Sequence, residues 1–339
     1  MNLLPQEMQV TPSSPLDKMP ANWLPKITVI IAARPAQGQI KAVAAAQKLN
    51  YPAEKMEILI ARGKQPSIQR NTALKAAVGE LVYFLDDDSE PSSENLFRAV
   101  RHFADPKIAL VGGPNVCPAD ASPLQQVFAL VLGSWLAFSS SRARYTPVGA
   151  VRPSGEKELI LCNLMGRKEP LIQSGGFDEA LYPNEENALM DELKRRGSKL
   201  IYDPQFVVQR YPRATLTAFA KMLRTYGRGR AEQFRRHPTF GSAPNFAPPL
   251  FCLFLLALPF LGRPGLAVVM LYLFGLLLQV SALMAKTWRP LASLAAGPLI
   301  ILSHILYGLG FWHGLFTRPG RKRAQQASEV VLEKLVLHP

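Results

Sequence analysis

The chain has 339 residues and carries 39 Lys and Arg against 25 Asp and Glu, a formal net charge of +14. That length holds two domains, or one domain and a membrane part. Aromatic residues are not interleaved with the basic ones as a single-strand nucleic-acid groove would want, which argues for no nucleic-acid partner. Three cysteines, Cys117, Cys162 and Cys252, have neither metal-ligand spacing nor a disulfide framework, which fits a reducing compartment.

Met1 to Pro25 is Pro-rich and polar, without the basic start and apolar core of a signal peptide, and reads as a flexible leader over 1–24. Ile27–Ala33 is a continuous apolar run, the mark of a strand buried on both faces. Ile40–Leu49 follows as a helix, Met56–Ala61 as a strand, Ser67–Val78 as a helix and Leu81–Leu85 as a third strand. Glu94–Phe103 is a helix and Ile108–Gly112 a fourth strand. This alternation predicts an α/β domain with a mostly parallel sheet and helices on both faces. Val127–Phe138 is apolar but too short to span a bilayer, so a core helix is expected there, with an interfacial helix as the alternative.

The third strand ends at Asp86-Asp87-Asp88, and open α/β sheets bind ligands outside the carboxyl ends of their strands. Three adjacent carboxylates repel one another. A hard divalent cation, Mg or Mn, removes that cost and is usually held by one or two carboxylates plus substrate phosphates. The alternative is a solvated acidic turn in which Asp88 or Ser89 caps the next helix. No glycine-rich phosphate loop occurs, so phosphate chemistry must rest on metal and side chains.

Thr215–Arg236 is amphipathic, with Leu216, Phe219, Leu223 and Tyr226 at helical spacing and six basic residues against Glu232. It reads as a surface helix drawn to anionic lipid, at about 1 kcal/mol per basic residue. The sharper alternative sets Arg228 or Arg230 on a pyrophosphate of donor or acceptor. Gly227 and Gly229 are expected to weaken the helix. Beyond Pro244 come three apolar stretches, Pro248–Leu261, Leu266–Ala285 and Leu291–Phe316, a membrane region over 245–317. The second and third are long enough to span; the first is short, holds three prolines, and reads as a tilted span, a re-entrant piece or an interfacial helix. Basic clusters at Arg228–Arg236 and, in a basic tail over 318–339, at Arg318–Arg323 both belong in the cytoplasm by the positive-inside rule. Three full crossings would separate them, so the first stretch is expected not to cross.

Four pieces, in order, resemble the family 2 glycosyltransferases of the GT-A fold, over about Pro25 to Pro238. Ile27–Arg34 resembles the family's opening strand. Gln69-Arg70-Asn71, Ala77-Val78-Gly79-Glu80 and the strand ending in Asp86-Asp87-Asp88 resemble its R-N…A-x-G-E…L-D-x-D block. Leu161-Cys162-Asn163-Leu164, Arg167 and Gly175-Gly176-Phe177-Asp178-Glu179 resemble the acceptor-side segment, and Asn184-Glu185-Glu186-Asn187 the Glu-Asp helix start. The resemblance implies inverting transfer of a single sugar from a nucleotide-sugar donor to a polyprenyl-linked or surface-glycan acceptor. The implied setting is a multi-pass protein of the cytoplasmic membrane with its catalytic domain in the cytoplasm. It puts Ala33, Arg34, Arg70, Asn71, Asp86 and Asp87 at the donor, and Asp86 and Asp88 on a Mg or Mn ion, with Asp88 as direct ligand. Asn163, Gly175 and Gly176 would meet the acceptor, and Arg228 and Arg230 a phosphate or the lipid surface. Glu186 would be the base, with Glu185 as the second candidate.

Departures from the pattern leave the nucleotide open. Ala61-Arg62-Gly63-Lys64 replaces the Asp usual after the second strand, and Pro35-Ala36-Gln37 the acids usual after the first. Arg62 and Lys64 are then phosphate contacts or solvated loop charges. Gln233-Phe234-Arg235-Arg236-His237 lacks the Trp of the processive synthases' Q-x-x-R-W, which favours single-sugar transfer. Two rival classes stand beside this reading: an inactive GT-A module in a glycan assembly complex, and a metal-dependent phosphohydrolase using the same aspartates.

Overall fold

The structure is a computed structural model and describes residues 24–181, 184–236, 238, 240–317 and 329–335. Nearly all of the leader and the basic residues Arg318–Arg323 lie outside the described residues. The first half of the soluble part follows the expected order: β1 (Ile27–Ala33), α1 (Lys41–Ala46), β2 (Met56–Arg62), α2 (Pro66–Ala76), β3 (Leu81–Asp86), β4 (Glu90–Pro91), α3 (Asn95–His102) and β5 (Ile108–Gly112). Next come β6 (Asn115–Val116), α4 (Pro123–Leu132), α5 (Trp135–Phe138), β7 (Arg152–Pro153), β8 (Asn163–Arg167), α6 (Lys168–Gln173), α7 (Glu185–Arg195), β9 (Lys199–Tyr202) and β10 (Val208–Gln209).

The main sheet has a parallel core, β2-β1-β3. β8 enters antiparallel between β3 and β5 and makes the sheet mixed. Side chains alternate across β1 and β3 as the strand period requires. Val29, Ile31, Tyr83 and Leu85 pack with α1 and α3 on one face. Ile30, Val82 and Phe84 pack with α2 and α7 on the other. In-register pairing sets Ala32 beside Asp86, so the ends of β1 and β3 share one sheet edge.

A third core joins the soluble part to the apolar region. The helix α8 (Leu216–Arg236) packs Phe219 and Leu223 against Phe128 and Val131 of α4, and the Phe128 and Phe219 rings stack at 4.1 Å. Val127–Phe138 is therefore a core segment. Two long apolar helices follow, α9 (Ala247–Thr287) and α10 (Pro290–Phe316), both long and apolar enough to cross a membrane. The first two apolar stretches are thus merged, with a break at Gly262, where φ is 54° and ψ −140°. Phe251 and Tyr272 sit 4.9 Å apart, so the two halves of α9 fold back on each other.

Two expectations are corrected here. Gly227 and Gly229 do not interrupt α8, which is continuous over 21 residues. A Cβ at Gly227 would run into the Tyr307 carbonyl and the Phe311 amide of α10, so the missing side chain lets two backbones approach. The end of the chain is also more than a basic tail. Val331–Leu335 forms β11, antiparallel on the outer edge of β2. Leu332 packs on one face of the sheet and Leu335 on the other, while Glu333 pairs with Arg62 at 2.6 Å and Lys334 with Glu57 at 3.0 Å.

Candidate active site

The acidic run is a structured turn. The Asp87 carbonyl accepts from the Ala42 amide, the Asp86 carbonyl accepts from the Ser89 amide, and Ser89 is fully buried. The next helix, α3, starts beyond β4 with Glu94 at its N-cap and no side-chain cap bond. Neither Asp88 nor Ser89 caps it, so the helix-cap part of the alternative reading does not hold.

Two guanidinium groups organise the carboxylates. Arg70, on α2, donates to Asp86 Oδ1 at 2.8 Å and to Glu185 Oε1 at 3.0 Å. Arg210, just past β10, approaches Asp86 Oδ2 at 3.1 Å and donates from Nε to Asp88 Oδ1 at 2.6 Å. Burial alone would raise the Asp86 pKa; Arg210 and Arg70 outweigh it and hold the carboxyl below the usual range. Glu185 is the opposite case. Burial first, and the charge of Glu186 second, push it up to about 8 against the pull of Arg70. The surroundings thus favour the anion at Asp86 and work against it at Glu185. Environments that push neighbouring carboxyls apart mark acid–base sites.

These groups, apart from Asp88, line one cavity of about 330 Å³. Its polar wall holds Arg70, Asp86, Arg210, Glu185 and Glu186. Its other wall comes from α5, α8, α9 and α10, with Phe138, Leu223, Tyr226, Pro248 and Tyr307. Arg230 also faces it and is buried in an ion pair with Glu156 at 2.5 Å; Glu186 is among the charges that raise its pKa against the cost of burial. Asn184 has φ 88° and makes no side-chain cap bond at the start of α7, so this left-handed residue, and not a cap, introduces the Glu185-Glu186 pair.

Several expected site residues sit elsewhere. Asn71 is clamped to the loop after α6: its Nδ2 donates to the Phe177 carbonyl at 2.8 Å and to Glu179 Oε1 at 2.9 Å, and its Oδ1 accepts from the Phe177 amide. Both of its N–H donors are spent on that loop. Gly176, at φ 71°, gives way to that clamp, since a Cβ there would lie 2.5 Å from Asn71 Oδ1. Gly175 and Gly176 line a separate pocket with Ala188 and Glu192, away from the carboxylates. Asn163 is fully buried, accepting from the Tyr83 hydroxyl at 2.8 Å and donating to the Phe206 carbonyl at 2.5 Å, and does not face an acceptor. Arg228 pairs with Glu232 at 3.4 Å outside the cavity lining. Ala33 is buried, and its carbonyl accepts from Gln69. Arg34 is exposed past the end of β1, on the edge that carries Asp86. Arg62 is taken up by Glu333 and by the Gln37 carbonyl at 2.6 Å, so it is not a free phosphate contact.

Arg210 escaped the sequence reading. It lies between a two-residue strand and Tyr211-Pro212, and no spacing ties it to residues 86–88. Only tertiary contact makes it part of the site. Of the two expected metal ligands, Asp86 and Asp88, only Asp88 keeps an oxygen without an arginine partner. Both oxygens of Asp86 are engaged by arginines, whereas Asp88 is 43% exposed and spends one oxygen on Arg210. Among the described residues no group of three or more His, Cys, Asp or Glu could hold a metal, so Asp88 would bind an ion whose other ligands come from substrate or water.

Residues 43–171 match the family model described as glycosyl transferase family 2. The pre-mycofactocin glycosyltransferase of Mycobacterium tuberculosis (strain CDC 1551 / Oshkosh) is 32% identical over 178 residues, 52% of this chain and 36% of that protein. The succinoglycan biosynthesis protein ExoA of Rhizobium meliloti (strain 1021) is 26% identical over 199 residues, 57% of this chain and 57% of that protein. The chain therefore spans 36% and 57% of the lengths of these relatives. Among solved structures, a mannosyltransferase, PcManGT from Pyrobaculum calidifontis in complex with GDP-Man and Mn2+, superposes with a TM-score of 0.48 at 19% identity, covering 85% of this chain and 91% of that one. S. aureus TarS superposes with a TM-score of 0.42 at 13% identity, covering 68% and 43%.

Proposed function

We propose that this chain, which carries a glycosyl transferase family 2 domain, moves a single sugar, with inversion, from a nucleotide-sugar to an amphiphilic acceptor at the cytoplasmic membrane face. The observation that carries this reading is the cavity, in which one wall is charged and the other is built from α5, α8, α9 and α10. Inverting transfer needs two groups on opposite sides of the sugar: one that neutralises the leaving diphosphate and one that takes a proton from the acceptor hydroxyl.

Arg70 and Arg210 face the first task as fixed cations. Asp86 holds both in place. Asp88 would hold Mg or Mn, which when bound supplies Lewis-acid stabilisation of the departing diphosphate. Glu186 takes the second task as base. Glu185, pushed toward the neutral form by burial, accepts from Arg70 and fixes it beside the diphosphate position. The apolar wall suits the polyprenyl part of a lipid-linked acceptor better than a free glycan.

The test is transfer by the detergent-solubilised protein with a panel of uridine and guanosine diphosphate sugars, Mn²⁺, and a short polyprenyl phosphate-linked acceptor. Product in one donor lane, absent from Asp88→Ala and Glu186→Gln, is expected. Full activity of Asp88→Ala would sink the metal assignment. Release of free sugar without any acceptor dependence would instead favour a hydrolase.

A further inference from the structure

The two long apolar helices meet every length criterion for crossing a bilayer, yet the contacts of α10 argue against it. Its first turn lies against α4, where Arg289 bonds Gln126. Its middle buries Ala296 and Ile300 with Phe128 and Phe219. Its last turn is held by Arg235 of α8, which donates to the Gly314 carbonyl at 3.3 Å and to that of Thr317. Between these points the Gly227 and Gly310 backbones touch the opposite helix, Gly227 at Tyr307 and Gly310 at Arg224. One face of α10 is therefore held against α4 and α8 from its first turn to its last, while Leu291, Leu294 and Phe316 stay exposed. Were α10 to cross, α8 would enter the hydrocarbon with it. Exposed Lys221, Arg224, Arg235 and Arg236 would go too, at about 2.5–3.5 kcal/mol each near the bilayer centre.

The geometry of α9 agrees. Its first half, from Ala247 to the Gly262 break, rises about 22 Å at roughly 1.5 Å per residue, short of the ~30 Å hydrocarbon core. The second half returns beside it, since Phe251 meets Tyr272, so the tip at Gly262 goes no deeper than the first half allows. The face turned away from the domain is strongly apolar: Leu256 is 75% exposed, Phe260 90%, Leu271 70% and Leu291 82%. Trp288, 87% exposed, stands at the far end of α9 beside Lys286 and Arg289, the aromatic and basic company of a headgroup layer. After α10 the chain returns as β11 to the sheet that carries Asp86. The end of α10 at Thr317 and the strand β11 can then lie on the side of the membrane that holds Arg228–Arg236.

We propose that α9 and α10 form a monotopic seat, embedded in an anionic bilayer from one side, with no segment between Ala247 and Thr317 reaching the opposite face. The proposal rests on the membrane attachment of the proposed function and is independent of the transfer reaction.

The test is labelling of the full chain with a membrane-impermeant maleimide, from outside in spheroplasts and from inside in inverted vesicles. Lys286→Cys and Thr317→Cys flank α10, Arg263→Cys marks the tip of α9, and Cys117→Ser removes the part-exposed native thiol. Buried Cys162 and Cys252 stay unlabelled in a folded variant, and Trp288→Cys replaces any variant in which they react. Positions 286 and 317 are expected to label only in inverted vesicles, and position 263 from neither side. Labelling of 286 and 317 from opposite faces, or of 263 from outside, overturns the proposal. So does a detergent-free soluble dimer that does not float with vesicles containing phosphatidylglycerol, because the apolar face would then be covered by a second copy. Each readout is orientation or flotation, so failure of the transfer assay leaves it intact.

Discussion

Asp86 and Glu185 are held by one guanidinium. Arg70 reaches Asp86 Oδ1 at 2.8 Å from one nitrogen and Glu185 Oε1 at 3.0 Å from the other. β3 and α7 are thereby joined across the cavity, and the two carboxyls are driven in opposite directions, Asp86 below and Glu185 above their ordinary values. A lysine offers a point charge and not a fork, so it cannot serve both. Arg70→Lys keeps the charge but loses one of the two contacts, and is expected to cost about 1.5–3 kcal/mol, the worth of a hydrogen bond to a charged group. Denaturant unfolding and transfer kinetics on the same preparation check this. An unchanged midpoint and unchanged kcat would mean that the fork is dispensable.

The split between the two glutamates predicts different consequences for isosteric substitution. Glu186→Gln removes the proposed base and should lower kcat 10²- to 10⁴-fold with little change in donor binding. Glu185→Gln replaces a carboxyl that burial already pushes toward the neutral form, so its loss should be far smaller. The linkage sign follows from the raised pKa. Stability contributed by protonated Glu185 is complete below the ordinary carboxylate pKa and is lost as pH rises through about 8. Unfolding free energy measured from pH 5 to 9 should fall in the wild type and fall less in Glu185→Gln. Parallel profiles would remove Glu185 as the titrating group.

Asn71 and Gly176 form a lock for the loop between α6 and α7, so their substitution should be read in stability. Asn71→Ala leaves the Phe177 amide and carbonyl without their partner, at about 1–3 kcal/mol for each buried group. Gly176→Ala adds a Cβ to a left-handed backbone and presses on Asn71 Oδ1. Thermal unfolding of both should shift downward while donor KM in the folded fraction stays near wild type. A selective rise in donor KM with no change in Tm would restore Asn71 to the donor site.

The same residues show what a sequence can and cannot carry. β1, β2, β3 and β5 were legible because strands buried on both faces are written as mainly apolar runs, with Thr28 and Glu57 near the starts of two of them, and Asp86-Asp87-Asp88 because three charges ended one of them. Asn71 was legible as important but not as a clamp, since its partners lie in another segment. Arg210 had no local mark at all; its role comes from the fold bringing it over two aspartates. Gly227 was misread for a physical reason. The helix penalty of glycine is measured without neighbours, and here the Tyr307 carbonyl of α10 occupies the space a side chain would need. β11 was hidden by its surroundings: five residues with two charges, following a basic run, carry too little pattern to announce a strand.

That last strand gives a further prediction. β11 covers the edge of β2 over five residue pairs and supplies Lys334 to the buried Glu57, whose carboxyl also accepts from Thr28 at 2.5 Å and from the Val78 amide at 2.8 Å. Through Glu333 it also steadies Arg62, which donates to the Gln37 carbonyl beside the end of β1. The single ion pairs are weak, since Glu333 is 41% and Lys334 56% exposed, and Glu333→Gln should cost at most about 1 kcal/mol. Removing residues 329–339 is a different perturbation. It strips the ladder from β2, bares Leu59 and Ala61, and leaves a long apolar edge open to pairing with another chain. The truncated protein should therefore unfold earlier and aggregate with time, by an amount well beyond the sum of Glu333→Gln and Lys334→Gln. Size-exclusion profiles after mild heating compare the three. If truncation costs no more than the two point changes together, the strand is held by its charges, and the apolar edge beneath it needs no cover.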